Sequence, residues 1–146
     1  MYAGKVADFL KDEYIMLQTL YGDMDQKGLT IKNWAITVAL AIIGASFVIE
    51  NRNLLWLAGA AAIIFWYLEA YWRGLSHFFA VRIQEIEAAL RDGTWETEVP
   101  LQVYSSWSKE YGRTKDQTFR YMFKRASFLP HALIPVFVLV LYCMFP

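Results

Sequence analysis

Apolar residues in this chain fall into two patterns: uninterrupted runs, and stripes at helical spacing. The first run, Asn33 to Ile49, reads NWAITVALAIIGASFVI and carries no charge. Glu50, Asn51, Arg52 and Asn53 follow, and then Leu54 to Leu68 (LLWLAGAAAIIFWYL) is uncharged again. Apolar character continues to Trp72, past Glu69 alone. A third run, Phe128 to Pro146, reads FLPHALIPVFVLVLYCMFP. A membrane-spanning helix needs roughly 17–25 predominantly apolar residues. The runs therefore predict a transmembrane hairpin over residues 33–72 and, over 128–146, a third helix that either spans the membrane or is re-entrant or interfacial. Pro130 is expected in the first turn of that helix, where its missing N–H costs nothing. Pro135 is expected to kink it unless neighbouring groups satisfy the freed carbonyl, as membrane bundles often permit.

The stripes lie outside the runs. Val6, Leu10, Tyr14, Leu17, Tyr21 and Met24 recur at steps of three and four, which predicts an amphipathic helix over 4–24. Lys11, Asp12 and Glu13 are expected on its polar side, and Gly28 is expected to break it before the membrane. Leu75, Phe79, Ile83, Ile86 and Leu90 form a second stripe. No proline interrupts Leu54 to Arg91, so one helix of about 57 Å is expected there, ended by Asp92 and Gly93. The two stripes are expected to pack antiparallel. Residues 93–104 read as a loop broken by Pro100. Thr114 and Gln117 suggest a capping box that restarts a helix leading into the third run.

The fold class that follows is an all-α integral membrane protein. Its segments are a cytoplasmic amphipathic helix (1–32), a hairpin (33–72), a cytoplasmic helical region with a loop (73–127) and a third membrane helix (128–146). Composition agrees. The 146 residues are 57% hydrophobic and 19% charged, against about 45–50% and 25% in soluble domains. That apolar content excludes disorder, and one Cys excludes a disulfide scaffold or a multi-Cys metal site.

Charge supplies topology. Fourteen basic residues balance fourteen acidic ones, and the basic ones concentrate in 1–32 and 73–128, with Arg52 alone in the hairpin turn. Basic short loops stay inside, so the N-terminus and the middle region are expected in the cytoplasm. Trp34, Trp66, Tyr67, Tyr71 and Trp72 fall at the predicted inner interface. No cleavable leader is expected, because a mostly polar stretch precedes the first run.

Three groups of residues are candidates for function. Thr37, Ala41 and Ala45 recur every four residues beside Gly44, and Ala58 and Ala62 do so in the second run. Small residues let membrane helices approach closely, either within the hairpin or between subunits around a pore. Glu69 shares a face with Ala58 and Ala62. It reads as an interfacial ion pair with Arg73, four residues on, or as a pore-lining or proton-coupled carboxylate. The third group is Arg113, Lys115, Arg120, Lys124 and Arg125 with Tyr121 among other aromatics. It suits anionic lipid headgroups, or a nucleotide or oligonucleotide with bases stacked on the rings. His77 and His131 have no acidic or Cys partner close in sequence and suggest no metal site. No phosphate loop, nucleophile elbow or metal-binding motif occurs, so neither catalysis nor a cofactor is expected.

Two stretches together resemble a known family: EYIMLQTLYGDMDQKGLTIKNWAITVALAIIGASFV (13–48) and FWYLEAYWRGLSHFFAVRIQEIEAAL (65–90). Their layout of cytoplasmic helix, tight hairpin and cytoplasmic continuation resembles the small bacterial two-span effectors of the SLATT type. It is also similar to the channel effectors of Hailong-type defence. The resemblance covers about the first 90 residues, and the third run departs from the two-span layout. It implies a homo-oligomeric ion channel or pore-forming effector of the bacterial inner membrane, acting in antiphage defence. It also implies nucleotide control and a co-encoded nucleotidyltransferase or sensor. The residues alone also allow a membrane anchor or adaptor for a cytoplasmic partner, or a small proton-coupled transporter using Glu69.

Overall fold

The computed structural model describes residues 2–114 and 117–144. Every regular element among them is helical: α1 Tyr2–Val48, α2 Leu54–Asp92, a 3-10 turn Trp95–Thr97, α3 Val103–Thr114, α4 Thr118–Met122 and α5 Arg125–Met144. Three of these, α1, α2 and α5, are long and apolar enough to cross a membrane.

Several boundaries differ from the sequence expectation. Gly28 does not break α1, which runs through it. A glycine inside a helix costs only about 1 kcal/mol relative to Ala, and here the residue is buried, with room for no more than ordinary contact against Arg73 and Glu69. The stretch after Pro100 is not loop throughout, since α3 begins at Val103. Thr114 ends α3 instead of capping the next helix, which restarts at Thr118. Pro130 is not in a first turn: α5 starts at Arg125, so the proline sits inside the helix. By contrast, α2 stops where Asp92 and Gly93 were expected to stop it, with Gly93 at φ 72°.

The chain divides into two compact units, to which α1 and α2 both contribute. One, here the polar unit, comprises Met1–Asp25 and Gly74–Gln117; the other, the apolar unit, comprises Gln26–Arg73 and Thr118–Pro146. In the polar unit Leu10 and Leu17 of α1 bury against Ile83 and Ile86 of α2, flanked by Val6, Tyr14 and Phe79. These are members of the two stripes. Tyr21 and Leu90, at the ends of the stripes, stay exposed.

In the apolar unit the three long helices share a core. Ile43 of α1, Leu55 and Ala58 of α2 and Val138 of α5 form its core. Ile49 to Asn53 makes the hairpin turn, with Glu50 at φ 56°, and the Asn51 side chain accepts the Asn53 N–H at 3.0 Å. The far end of α5 reaches that turn: Arg52 lies 5.1 Å from the Tyr142 ring, and Trp56 packs on the same ring.

Candidate functional site

Two buried polar side chains of the apolar unit, Ser127 and His131, converge on one carboxylate. Ala58, Ala62 and Glu69 recur on the buried side of α2, and all three are fully buried. A buried carboxylate is costly unless it is paired and hydrogen-bonded, and Glu69 is satisfied from three helices. Arg73, one turn along α2, donates through Nε to Oε1 at 2.8 Å. Lys32 of α1 places Nζ 3.3 Å from the same oxygen, and Ser127 of α5 donates its hydroxyl at 3.3 Å. His131, one turn further along α5, lies with Nε2 2.6 Å from Oε2.

The ion pair with Arg73 is the one the spacing suggested. The partnership with His131 corrects the expectation that this histidine lacks an acidic partner, because the two residues are 62 positions apart. His131 is itself buried and stacks on Trp66, with rings 6.5 Å apart and 8° from parallel. A carboxylate accepts, so the ring proton belongs on Nε2. Nδ1 then has no hydrogen-bond partner among the described residues.

Two further bonds fix α5 at this level. Pro130 has no N–H, so the carbonyl of Ala126, four residues before it, loses its helical donor. Lys32 supplies the replacement, with Nζ 2.9 Å from that oxygen. Trp66 donates its indole N–H to the Met122 carbonyl at 3.1 Å. Glu69 is therefore a structural hub inside the chain's own core, joining α1, α2 and α5.

The small residues of the first run separate from that core. Thr37, Ala41 and Gly44 are exposed and Ala45 is half-buried. The side of α1 that faces inward is Ala35, Ala39, Ile43 and Ser46. At 3.6 residues per turn, Thr37, Ala41 and Gly44 lie on the opposite side of the helix. Packing within the hairpin therefore leaves them unused.

The basic cluster divides between the units. Arg113 is exposed in the polar unit, 3.4 Å from Glu110. Arg120, Lys124 and Arg125 are exposed in the apolar unit, where Lys124 Nζ sits 3.6 Å from the centre of the Tyr121 ring. Lys115 lies outside the described residues.

A second hub occupies the polar unit, and the sequence reading missed it. Glu13 was expected on the solvated side of its helix, yet it is buried. Its spacing was the available signal, because it lies three residues after Leu10 and four before Leu17. Arg82 of α2 donates to Glu13 through Nε at 2.9 Å. Arg82 also reaches Glu85 at 3.2 Å, Glu98 at 3.5 Å and the Val99 carbonyl at 3.1 Å. Glu13 accepts the backbone N–H of Leu101 at 2.7 Å. Burial alone would lower the Arg82 pKa, but the hydrogen bonds to Glu13 and Glu85 outweigh it and hold it above its ordinary value. This pair fastens the segment 98–101 to the two long helices.

Among the described residues no cluster of His, Cys, Asp and Glu is arranged to hold a metal ion. No protein-family model matches the chain, and no curated protein or solved structure shows significant similarity to it.

Proposed function

We propose that the protein is an integral membrane protein whose apolar units associate, copy against copy, to form an ion-conducting channel. One observation carries the reading: α1 keeps an unused stripe of small and mildly polar residues. Asn33, Thr37, Ala41 and Gly44 are exposed on its outer side, between bulky exposed neighbours such as Trp34, Leu40 and Phe47. Lipid gives apolar helices no reason to associate, whereas small residues allow close backbone contact. The interior of one unit is filled by its apolar core and the Glu69 hub, so a conduit belongs between copies. On this reading Glu69 holds the subunit together and the α1 stripe lines or seals the assembly. The basic residues near the ends of the apolar runs favour a cytoplasmic polar unit. The resemblance in layout adds a role as a defence effector.

Reconstitution tests the proposal. The purified chain should give discrete single-channel currents in planar bilayers, and Ala41→Leu with Gly44→Leu should abolish them. Thr37→Cys in a Cys143→Ser background should form an oxidative dimer in membranes. A chain that stays monomeric in bilayers and never conducts would overturn the reading.

A further inference from the structure

The even charge balance of the chain conceals a division. The polar unit contains twelve of the fourteen acidic residues and seven basic ones; the apolar unit contains two acidic and seven basic residues. The formal charges are thus −5 and +5. The acidic balance of the polar unit accompanies an open groove of about 520 Å³, walled on one side by the start of α1 and on the other by residues 96–100. Its apolar lining is Val6, Phe9, Val99 and Pro100, and Lys5, Glu96 and the Arg82-paired Glu98 complete it. Phe9 is 48% exposed and Val99 62% exposed. Asp8 and Asp12, both exposed, flank Phe9 on α1, and Met16 continues its exposed face one turn beyond Asp12.

We infer that this groove is a docking site for a basic amphipathic segment of a partner protein, most simply a helix with Lys or Arg beside its apolar stripe. Apolar anchors with a charged rim are how a helix is read in a groove, and the charge sets the sign of the partner. A second polar unit brings the same net −5 to the contact, so the polar unit of a further copy is a poor occupant. A nucleotide meets the same repulsion. The groove is shaped in advance, because Arg82 and Glu13 hold Val99 and Leu101 by their backbone atoms. The inference does not depend on the channel reading.

The test uses the full chain in phosphatidylcholine nanodiscs, with empty discs as the reference. The probe is a dye-labelled amphipathic helix of Leu and Lys, about 14 residues long (roughly four turns), followed by fluorescence anisotropy. Saturable binding beyond the empty-disc level is expected, weakening with added salt. Phe9→Ser with Val99→Ser leaves the charge unchanged and should weaken binding about tenfold or more, as losing central apolar anchors does. Asp8→Asn with Glu96→Gln should weaken it too, and a Leu and Glu helix should not bind. Helicity measured by circular dichroism accompanies each variant. Phe9→Lys, at an exposed position, provides a second variant that should abolish binding. Unchanged affinity in these variants, equal binding of the acidic helix, or Phe9-dependent self-association without peptide would overturn the inference.

Discussion

The ammonium of Lys32 sits 2.9 Å from the carbonyl oxygen of Ala126, the acceptor that Pro130 leaves without a helical donor. A lysine on the first long helix thus completes the hydrogen bonding of the last, 94 positions away. This makes the two residues energetically dependent. Lys32→Met should destabilise the parent by removing its bonds to both Ala126 and Glu69. In a Pro130→Ala background position 130 regains its N–H, and the Ala126 carbonyl regains a helical partner. The same Lys32→Met change should then cost less, by a coupling of about 1 kcal/mol. Unfolding of the four variants in detergent by sodium dodecyl sulfate titration measures it, and strict additivity would refute the account.

Glu69 faces four side-chain donors from three helices. Glu69→Ala takes from the half-buried Lys32 and Arg73 the carboxylate that both face, and breaking a buried pair costs about 3–5 kcal/mol. Arg73→Met and His131→Leu each leave the carboxylate with other partners. The expected order of thermal destabilisation is Glu69→Ala well beyond either single donor variant. His131→Leu should be the mildest of the three, because it also removes the orphaned Nδ1. Melting temperatures in one detergent decide the order, and equal losses would show that the hub does not act as a unit.

Arg82 spends its guanidinium on Glu13, Glu85, Glu98 and the Val99 carbonyl. A lysine offers a point charge without the fork, so Arg82→Lys should lose about 2 kcal/mol through its missing charge-assisted bonds. Protease cleavage should then appear first in segment 98–101. The pKa of Arg82 is raised by folding, so the charged form is favoured in the folded state. That contribution is complete below the unfolded pKa and is lost only as pH rises through the still higher folded one. Cleavage of the parent at this segment should therefore be unchanged between neutral pH and about pH 10, because even an unpaired arginine keeps its proton across that range.

Leu101 adopts φ 62°, a region that costs an L-residue with a side chain about 1–2 kcal/mol. Its side chain is largely exposed, so little packing is lost on its removal. Leu101→Gly should therefore raise stability by up to about 1 kcal/mol, the relief being partly offset by the greater freedom of glycine in the unfolded chain. Leu101→Pro should lower it, because the N–H that bonds to Glu13 disappears. Chemical denaturation of the two variants reads the sign directly.

What was legible in the chain was local. Runs without charge marked the three apolar helices, and spacing of three and four marked the faces of α1 and α2 that meet at Leu10, Leu17, Ile83 and Ile86. Gly93 marked the end of α2. The Glu69 to Arg73 pair was visible because its members are one helical turn apart. These features follow from backbone periodicity, which the order of residues expresses directly.

The tertiary structure decided the polar contacts that join distant segments. Nothing near His131 in sequence announces Glu69, and nothing near Lys32 announces the carbonyl freed by Pro130. Glu13 looked like part of a solvated face until Arg82 came to meet it. The stripe of Thr37, Ala41 and Gly44 was equally ambiguous, because spacing shows that residues share a face but not which way the face turns. Its outward direction was settled by competition: Ala35, Ala39 and Ile43 fit the other helices, and a helix has only one side to give them. The sequence by itself marked the apolar runs and stripes of the long helices and the surroundings they suit. Only packing chose the faces, since a buried charge must find its partners in space wherever they lie along the chain.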